Sequence, residues 1–298
     1  MKTPPVVHGT FHIERTYNAP PARVFAAWAD IETKARWFIG PPDKWKVVER
    51  ALDFRVGGQE RLHGQLASGS NTVFTARYHD IIPNQRLVYV YDMQLGDRHL
   101  SVSLATVELS ETSRGGTRMK FTEQATFLDD EYGVASREEG TAAHFDRLLP
   151  VLEDPCEIIS SRVFDAPRER VFGAFTDPNQ LARFWGPKGF TNTFHEFDLR
   201  TGGTWRLTMH GPDGSDYTNE WQFLALHPPE RVLLHHVKEM HRFKLALTFV
   251  SLGEKTQLIW RMQFESKAEA DAVRAYVPAA NEQNFDRLAV HLQSAGMV

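Results

Sequence analysis

Several features that would assign this chain quickly are scarce in it. There is one cysteine, Cys156, in 298 residues, so no disulfide can form within the chain. That usage suits a reducing compartment. No apolar run approaches the length of a membrane span, and the opening Met1-Lys-Thr-Pro-Pro-Val-Val-His8 is not followed by an apolar leader core. A soluble, cytoplasmic protein with no membrane insertion is the expectation. Basic excess is also missing: 34 Lys and Arg face 38 Asp and Glu, for a net charge of −4 without long blocks of either sign. This disfavours nucleic acid as a partner. Histidines are present, but His235-His236 and His241 stand without a Cys or acidic cluster. Neighbouring residues of a strand point to opposite faces, so the pair cannot ligate one ion. Neither a metal nor a cofactor is expected, and no Ser/His/Asp or Cys/His arrangement recurs along the chain.

What is present is a phrase written twice. Arg15-Thr-Tyr-Asn-Ala-Pro-Pro-Ala-Arg-Val-Phe-Ala-Ala-Trp-Ala-Asp30 returns as Arg162-Val-Phe-Asp-Ala-Pro-Arg-Glu-Arg-Val-Phe-Gly-Ala-Phe-Thr-Asp177, with eight of sixteen positions identical at an offset of 147. The chain is a tandem of one domain, and we place the copies at 8–153 and 157–295. Each is long enough to bury a core unaided. The linker, Pro150 to Cys156, is short and carries two prolines. A monomer whose domains form a pseudo-dimeric pair with limited freedom is expected.

Within the first copy, residues 11–17 alternate as a strand. Pro20-Pro21 opens a helix bearing Val24, Phe25 and Trp28, because proline is tolerated in the first helical turn. Ala35 to Phe38 suggests another helical turn, closed by Gly40-Pro41-Pro42. Six strands follow, Trp45–Phe54, Gln59–Gln65, Val73–Ile81, Arg86–Asp92, Leu100–Leu109 and Thr117–Thr126, joined by short turns that favour an antiparallel meander. A closing helix places Phe145, Leu148, Leu149 and Leu152 on one stripe. The second copy repeats the order: a strand 158–164, a helix 168–176 and six more strands. Its last helix carries Phe285, Leu288, Ala289 and Leu292. Before it, the helical stretch 267–277 should break at Pro278. The fold class is α+β: two curved antiparallel sheets, each wrapped around a long C-terminal helix. One helix is narrower than a curved sheet, so the uncovered concave face should leave a cavity suited to a small, partly apolar ligand.

These residues carry a resemblance. The opening phrase, followed by Asp53-Phe-Arg-Val-Gly-Gly58 or Asp198-Leu-Arg-Thr-Gly-Gly203, resembles the START-related, helix-grip superfamily. Within it, the sequence is most similar to the group named after the activator of Hsp90 ATPase. Pro83-Asn-Gln-Arg-Leu-Val88 with Pro228-Pro-Glu-Arg-Val-Leu233, and Phe145-Asp-Arg-Leu148 with Phe285-Asp-Arg-Leu288, extend the likeness over nearly the whole chain. The resemblance implies the helix-grip (START/Bet v 1-like) fold and, in the superfamily, binding of lipids, hormones or polyketides, with cyclisation or hydrolysis in some members. It also implies a chaperone-directed alternative, by analogy with the activator that gives the group its name. The chain departs from the pattern where the family commonly has Glu-Gly-Trp: here Glu139-Gly140 is followed by Thr141, and the second copy has Ala279-Ala280-Asn281.

For the cavities, aromatic residues give wall area with few rotamers. The pocket candidates are Trp37, Phe38 and Tyr78 in the first copy, and Phe184, Trp185, Trp205, Trp221 and Phe223 in the second. The Trp37-Phe38 and Phe184-Trp185 turns are the candidate gates. Alternation in Thr204–His210 puts Trp205, Leu207 and Met209 inward, leaving Arg206 and His210 outward. The matching inward set of the first copy is Glu60, Leu62 and Gly64. Glu60, in the place of Trp205, is therefore the one candidate ionisable pocket group and the one candidate for an enzymatic alternative of cyclase or hydrolase type. Either Glu60 reaches the pocket mouth, or the first cavity is polar where the second is apolar, the copies having diverged toward different ligands or one having kept a pocket that the other filled. Arg15 and Arg162 are expected to pair locally, with Asp30 and Asp177 as candidate partners, and carboxylate binding in the pocket is the alternative; Asp30 and Asp177 are themselves expected to cap or stop the first helix's turn. The leading reading is a non-enzymatic binder of a small apolar or amphipathic molecule.

Overall fold

The computed structural model describes residues 6–41, 43–128, 133–237 and 242–294. His241 lies outside them. The chain divides into two compact units that meet at Glu153 and Asp154.

The first unit runs β1 (Val7–Tyr17), α1 (Pro21–Ala29), α2 (Ile31–Trp37), β2 (Trp45–Leu52), β3 (Gln59–Leu66), β4 (Asn71–Ile82), β5 (Arg86–Leu95), β6 (Arg98–Glu111), β7 (Thr117–Phe127) and α3 (Val134–Leu152). The second runs β8 (Glu157–Phe164), α4 (Arg168–Thr176), α5 (Pro178–Phe184), β9 (Thr191–Phe197), β10 (Thr204–His210), β11 (Asp216–His227), β12 (Arg231–His236), β13 (Phe243–Leu252), β14 (Lys255–Phe264), α6 (Lys267–Arg274) and α7 (Val277–Ser294). Among the described residues each unit forms one seven-stranded sheet, in the orders β1-β7-β6-β5-β4-β3-β2 and β8-β14-β13-β12-β11-β10-β9. Every pairing is antiparallel. The first strand joins the last because the meander has curled round its closing helix.

That curl has a local cause. Register shifts fall at Val47/Glu49 and Tyr78/Asp80 in the first sheet, and at Arg206/Leu207 and Phe223/Ala225 in the second. An extra residue on one strand of a pair bends it and increases its twist. The Asp-x-Arg-x-Gly-Gly turns hold the sheet's far edge. Gly57 and Gly202 sit at φ +79° and +83°, which favours glycine. A Cβ on Gly58 or Gly203 would fall 2.2 or 2.0 Å from the carbonyl oxygen of Asp53 or Asp198.

The repeated phrases prove to be fasteners. Asp30 ends α1 and caps α2, its side chain accepting from the Thr33 amide at 2.8 Å, and Asp177 accepts from the Asn179 amide at 2.9 Å. Both are therefore engaged at helix starts, and Arg15 and Arg162 pair elsewhere than expected. Arg15 Nη2 meets Asp146 at 2.9 Å and Arg162 Nη1 meets Asp286 at 2.6 Å. The partner lies on the closing helix because the strand arginine points across β1 or β8 toward it. Arg23 and Arg170 donate to the carbonyls of Val151 and Leu292 in the last turn of that helix, where a cation is favoured. The closing phrase completes the set. Phe145 and Phe285 are buried, Asp146 and Asp286 hold the strand arginine, and Arg147 and Arg287 donate to Ile39 O and Gly186 O at 2.8 Å.

Two expectations for the closing helix need correction. Leu149 is 40% exposed, and the buried stripe is Phe145, Leu148, Val151 and Leu152. At 100° per residue Leu149 lies about 90° from the middle of that stripe. The linker also starts later than expected, since α3 continues through Pro150 to Leu152. Burial of Val151 and Leu152 outweighs the one backbone bond that proline removes. Beyond the second sheet, the break before Pro278 is present: α6 ends at Arg274 and Pro278 falls in the first turn of α7.

Candidate functional site

A cavity of about 420 Å³ lies between the first sheet and α3. Its walls are mostly apolar, with aromatic rings from Trp37 and Phe38 at the end of α2, Phe74 on β4, Tyr89 on β5 and Phe121 on β7. Gly140 and Thr141 face it from α3, so the position where the family commonly has tryptophan leaves space here.

The polar part of the wall is a cluster around Glu123, which is fully buried on β7. Tyr91 Oη donates to Glu123 Oε1 at 2.6 Å and Ser103 Oγ donates to the same oxygen at 2.9 Å. Arg137 enters from the first turn of α3. Its Nη1 donates to Tyr91 Oη at 2.6 Å and to Glu123 Oε1 at 3.2 Å, and its Nη2 to Ser101 Oγ at 2.7 Å. The guanidinium also stands 5.4 Å from the Tyr91 ring centroid, within cation–π range. Burial pushes the Tyr91 hydroxyl far above the usual phenol range, so it stays a donor.

His144, one turn beyond Thr141, also lines the cavity and packs on Phe38 at 4.9 Å between centroids. Its Nδ1 is 2.7 Å from Arg147 Nη2. Nδ1 also lies 3.3 Å from the Trp37 carbonyl oxygen, which only accepts, so its two neighbours call for opposite roles of that nitrogen. Burial, reinforced by Arg147, holds the imidazole down to about 4. The folded-state value is below the unfolded value near 6.5, so the folded state binds fewer protons in between. His144 therefore contributes stability above about pH 6.5 that falls away as pH drops toward 4, by at most about 3 kcal/mol. Urea midpoints across that window should fall less steeply for His144→Gln than for the parent chain. Parallel curves would rule this out.

Behind the wall lies a second buried polar group. Lys34 on α2 is 2% exposed and Glu60 on β3 is 2% exposed. Lys34 Nζ donates to Glu60 Oε2 at 2.5 Å and to Tyr78 Oη at 3.1 Å, and Tyr78 Oη donates to Glu60 Oε2 at 2.6 Å. Burial lowers the Lys34 ammonium from its ordinary value, opposed by Glu60. The ammonium also lies 5.2 Å from the ring centroids of Trp28 and Phe38.

The repeat puts different residues at the same places in the second unit. At the positions of Lys34, Glu60 and Tyr78 stand Leu181, Trp205 and Phe223; at those of Glu123 and Arg137 stand Met262 and Val277. Glu60 faces Ala76 across the strand pair, whereas Trp205 faces Trp221. Trp205 and Trp221 stack at 5.9 Å, and Trp185 lies 4.9 Å from Trp205 and 5.2 Å from Trp260. The space between sheet and α7 is thus occupied by four indoles in mutual contact, all buried.

The structure brings Trp37 and Phe38 to the cavity. It sets Glu60 and Tyr78 behind the cavity wall, and Phe184, Trp185, Trp205, Trp221 and Phe223 in the second core. Trp37 is fully buried, and its Nε1–H donates to Ala27 O at 3.0 Å, which ties it into the wall. Arg206 pairs outside with Glu196 at 2.6 Å, and His210 with Asp216 at 2.6 Å. His236 packs edge-on against Trp221, at 4.6 Å between centroids. Among the described residues no helix is long and apolar enough to span a membrane.

Sequence reasoning missed Lys34, Glu123, Arg137 and His144. Glu123 carried a usable signal: Thr117, Met119, Phe121, Ala125 and Phe127 share its face of β7 and are buried, so a carboxylate in that row must be inside. Arg137 and His144 had no such signal, because polar residues on a helix flank read as solvated until the sheet's curvature is known.

Comparison of the sequence with family models agrees with this architecture. The family model described as Activator of Hsp90 ATPase homolog 1-like protein matches residues 18–153 and again 165–293. Among solved structures, an uncharacterized protein from Rhizobium leguminosarum is 42% identical over 50% of this chain and 97% of its own, with a TM-score of 0.47. A protein from Rhizobium loti is 40% identical over 49% of this chain and 99% of its own, with a TM-score of 0.46. One from Arthrobacter aurescens is 22% identical over 47% and 88%, with a TM-score of 0.45. No curated protein matches the chain. With the same model matched by both halves, the chain belongs to the Activator of Hsp90 ATPase homolog 1-like family, as a tandem of two helix-grip domains.

Proposed function

We propose that this protein is a small-molecule binder whose ligand site is the cavity of the first domain, with the second domain a closed scaffold. The observation that carries the reading is the cavity of about 420 Å³, a size usual for small-ligand sites, walled by aromatic rings and bearing one compact polar cluster. The ligand is partly apolar and no larger than a few fused rings. The matching interior of the second domain is packed with indoles, which supports one site per chain. Of the pocket candidates, Trp37 and Phe38 are assigned to the ligand's apolar face, while Glu60 and Tyr78 support the wall from behind. The single cysteine fits a reducing setting, and we place the protein in the cytoplasm.

Native mass spectrometry of protein purified from its own host should show an adduct of small-molecule mass at one copy per chain. Thr141→Trp, which fills the cavity from α3, should abolish the adduct while leaving the circular dichroism unchanged. An adduct-free parent chain that also fails to take up an apolar dye saturably would defeat the reading.

A further inference from the structure

One end of the cavity has hydrogen-bond donors in excess. His144 stands two turns beyond Arg137 on the same face of α3, about 10 Å away along the axis. It lines the cavity and is half-buried. Its Nδ1 is taken up by Trp37 O and Arg147 Nη2. Its Nε2 has no partner among the described residues and keeps accessible surface. Behind it, Arg147 donates to the carbonyls of Trp37 and Ile39, and Arg50 on β2 to that of Phe38. Arg50 Nη1 is buried without an acceptor among the described residues. Among those residues neither guanidinium has a carboxylate within ion-pair distance, whereas Arg137 has Glu123 and Lys34 has Glu60. The wall at His144 is therefore backed by two cations without counter-charges. The second domain keeps the arginine as Arg287 and has Asn284, buried, in place of His144, so the fold does not need an imidazole there.

We propose that this end of the cavity receives the carboxylate of an organic acid with an apolar body, held by His144 Nε2–H and selected for its charge by Arg50 and Arg147 behind the wall. A carboxylate supplies the acceptor and the negative charge that this corner lacks. It favours the forms of the ring that carry a proton on Nε2: neutral imidazole with Nδ1 accepting from Arg147, or imidazolium with Nδ1 donating to Trp37 O. A ligand cation would face two guanidinium groups with nothing to offset them. At the other polar station Arg137 already offsets Glu123 at 3.2 Å, so the acid meets no uncompensated negative charge in the cavity. Its apolar body lies along Phe38, Phe74 and Phe121. This inference rests on the ligand-binding reading of the cavity and adds the ligand's charged group.

The test titrates the full chain calorimetrically near neutral pH with two probes, 2-naphthoate and 2-naphthamide. They share a ring system and nearly a shape, but only the first is charged. A plain hydrophobic cavity would favour the amide, because the carboxylate gives up more hydration. The parent chain should bind 2-naphthoate about tenfold more tightly, the step from a neutral to a charge-assisted hydrogen bond. Thr141→Trp should remove binding of both probes, which locates them. His144→Phe keeps a ring against Phe38 and has no Nε2, so its preference should reverse toward the amide while the amide still binds. Equal affinities or an amide preference in the parent chain would overturn the inference while leaving the binding reading intact. An unchanged acid preference in His144→Phe would overturn it too, since the carboxylate would then be held elsewhere. Failure of both probes to bind the parent chain would overturn inference and binding reading together. If His144→Phe does not fold, His144→Leu takes its place, and if neither folds the comparison on the parent chain decides alone.

Discussion

Glu60→Gln should destabilise the first domain by about 3–5 kcal/mol, because it leaves a fully buried ammonium without its counter-charge. Lys34 has no escape to water: it is 2% exposed, with aromatic rings on two sides. Its ammonium is already lowered by burial, and Glu60 is the largest opposing influence. Removing that influence makes deprotonation the cheaper outcome, so the loss should shrink at higher pH. The matched control follows from the repeat. Lys34→Leu, Glu60→Leu and Tyr78→Phe together introduce the second domain's character at these positions, and should be neutral or stabilising by roughly 1–4 kcal/mol, as for other buried ion pairs replaced by apolar groups. Urea unfolding of the first domain measures both. A single-variant cost below about 1 kcal/mol, or a triple variant worse than the single, would contradict this account of the Lys34–Glu60–Tyr78 group.

The second large effect is in the other core. Trp221→Ala restores the residue that the first domain has at this place, Ala76, and should cost the second domain about 3 kcal/mol. That is the lower end of the usual range for aromatic truncation. The indole N–H of Trp221 is buried without an acceptor among the described residues, and its removal relieves part of the loss. The hole lies between Trp205, Trp185, His236 and Phe243, whose ring centroids stand 5.9, 6.0, 4.6 and 5.4 Å from that of Trp221. Apolar holes of this kind take up small aromatic molecules. Added indole should raise the unfolding temperature of Trp221→Ala in a dose-dependent way and leave the parent's second domain unmoved. No response to indole would mean that the core had collapsed instead of opening.

Together the two variants address why the chain has two copies of one domain. Both solve the same problem, a curved sheet wider than the helix that covers it. The first keeps a cavity and places polar groups in and behind its wall. The second fills the equivalent space with Trp185, Trp205, Trp221 and Trp260. Correlated exchanges sit across single strand pairs, Glu60 with Ala76 against Trp205 with Trp221. Filling one domain requires a large residue at both places, because a single indole opposite a small partner would leave a void.

By itself the sequence determined the duplication, the order of strands and helices, and the inward faces of the strands. Period-two alternation and turn residues act over a few positions, so Glu60 and Trp205 could be placed inside without coordinates. It also showed that Glu60 and Trp205 are where the copies differ. Tertiary structure decided the rest. The strand arginines find Asp146 and Asp286 because those aspartates lie more than a hundred positions away on the closing helix, where no local pattern reaches. Lys34 is buried because the sheet curls over α2 to bring Glu60 beside it, and an amphipathic reading of seven helical residues cannot anticipate that. Whether an inward residue meets space or another ring depends on sheet curvature and on the side chain opposite. On that basis Trp37 and Phe38 border a cavity, while Trp205 and Trp221 close one.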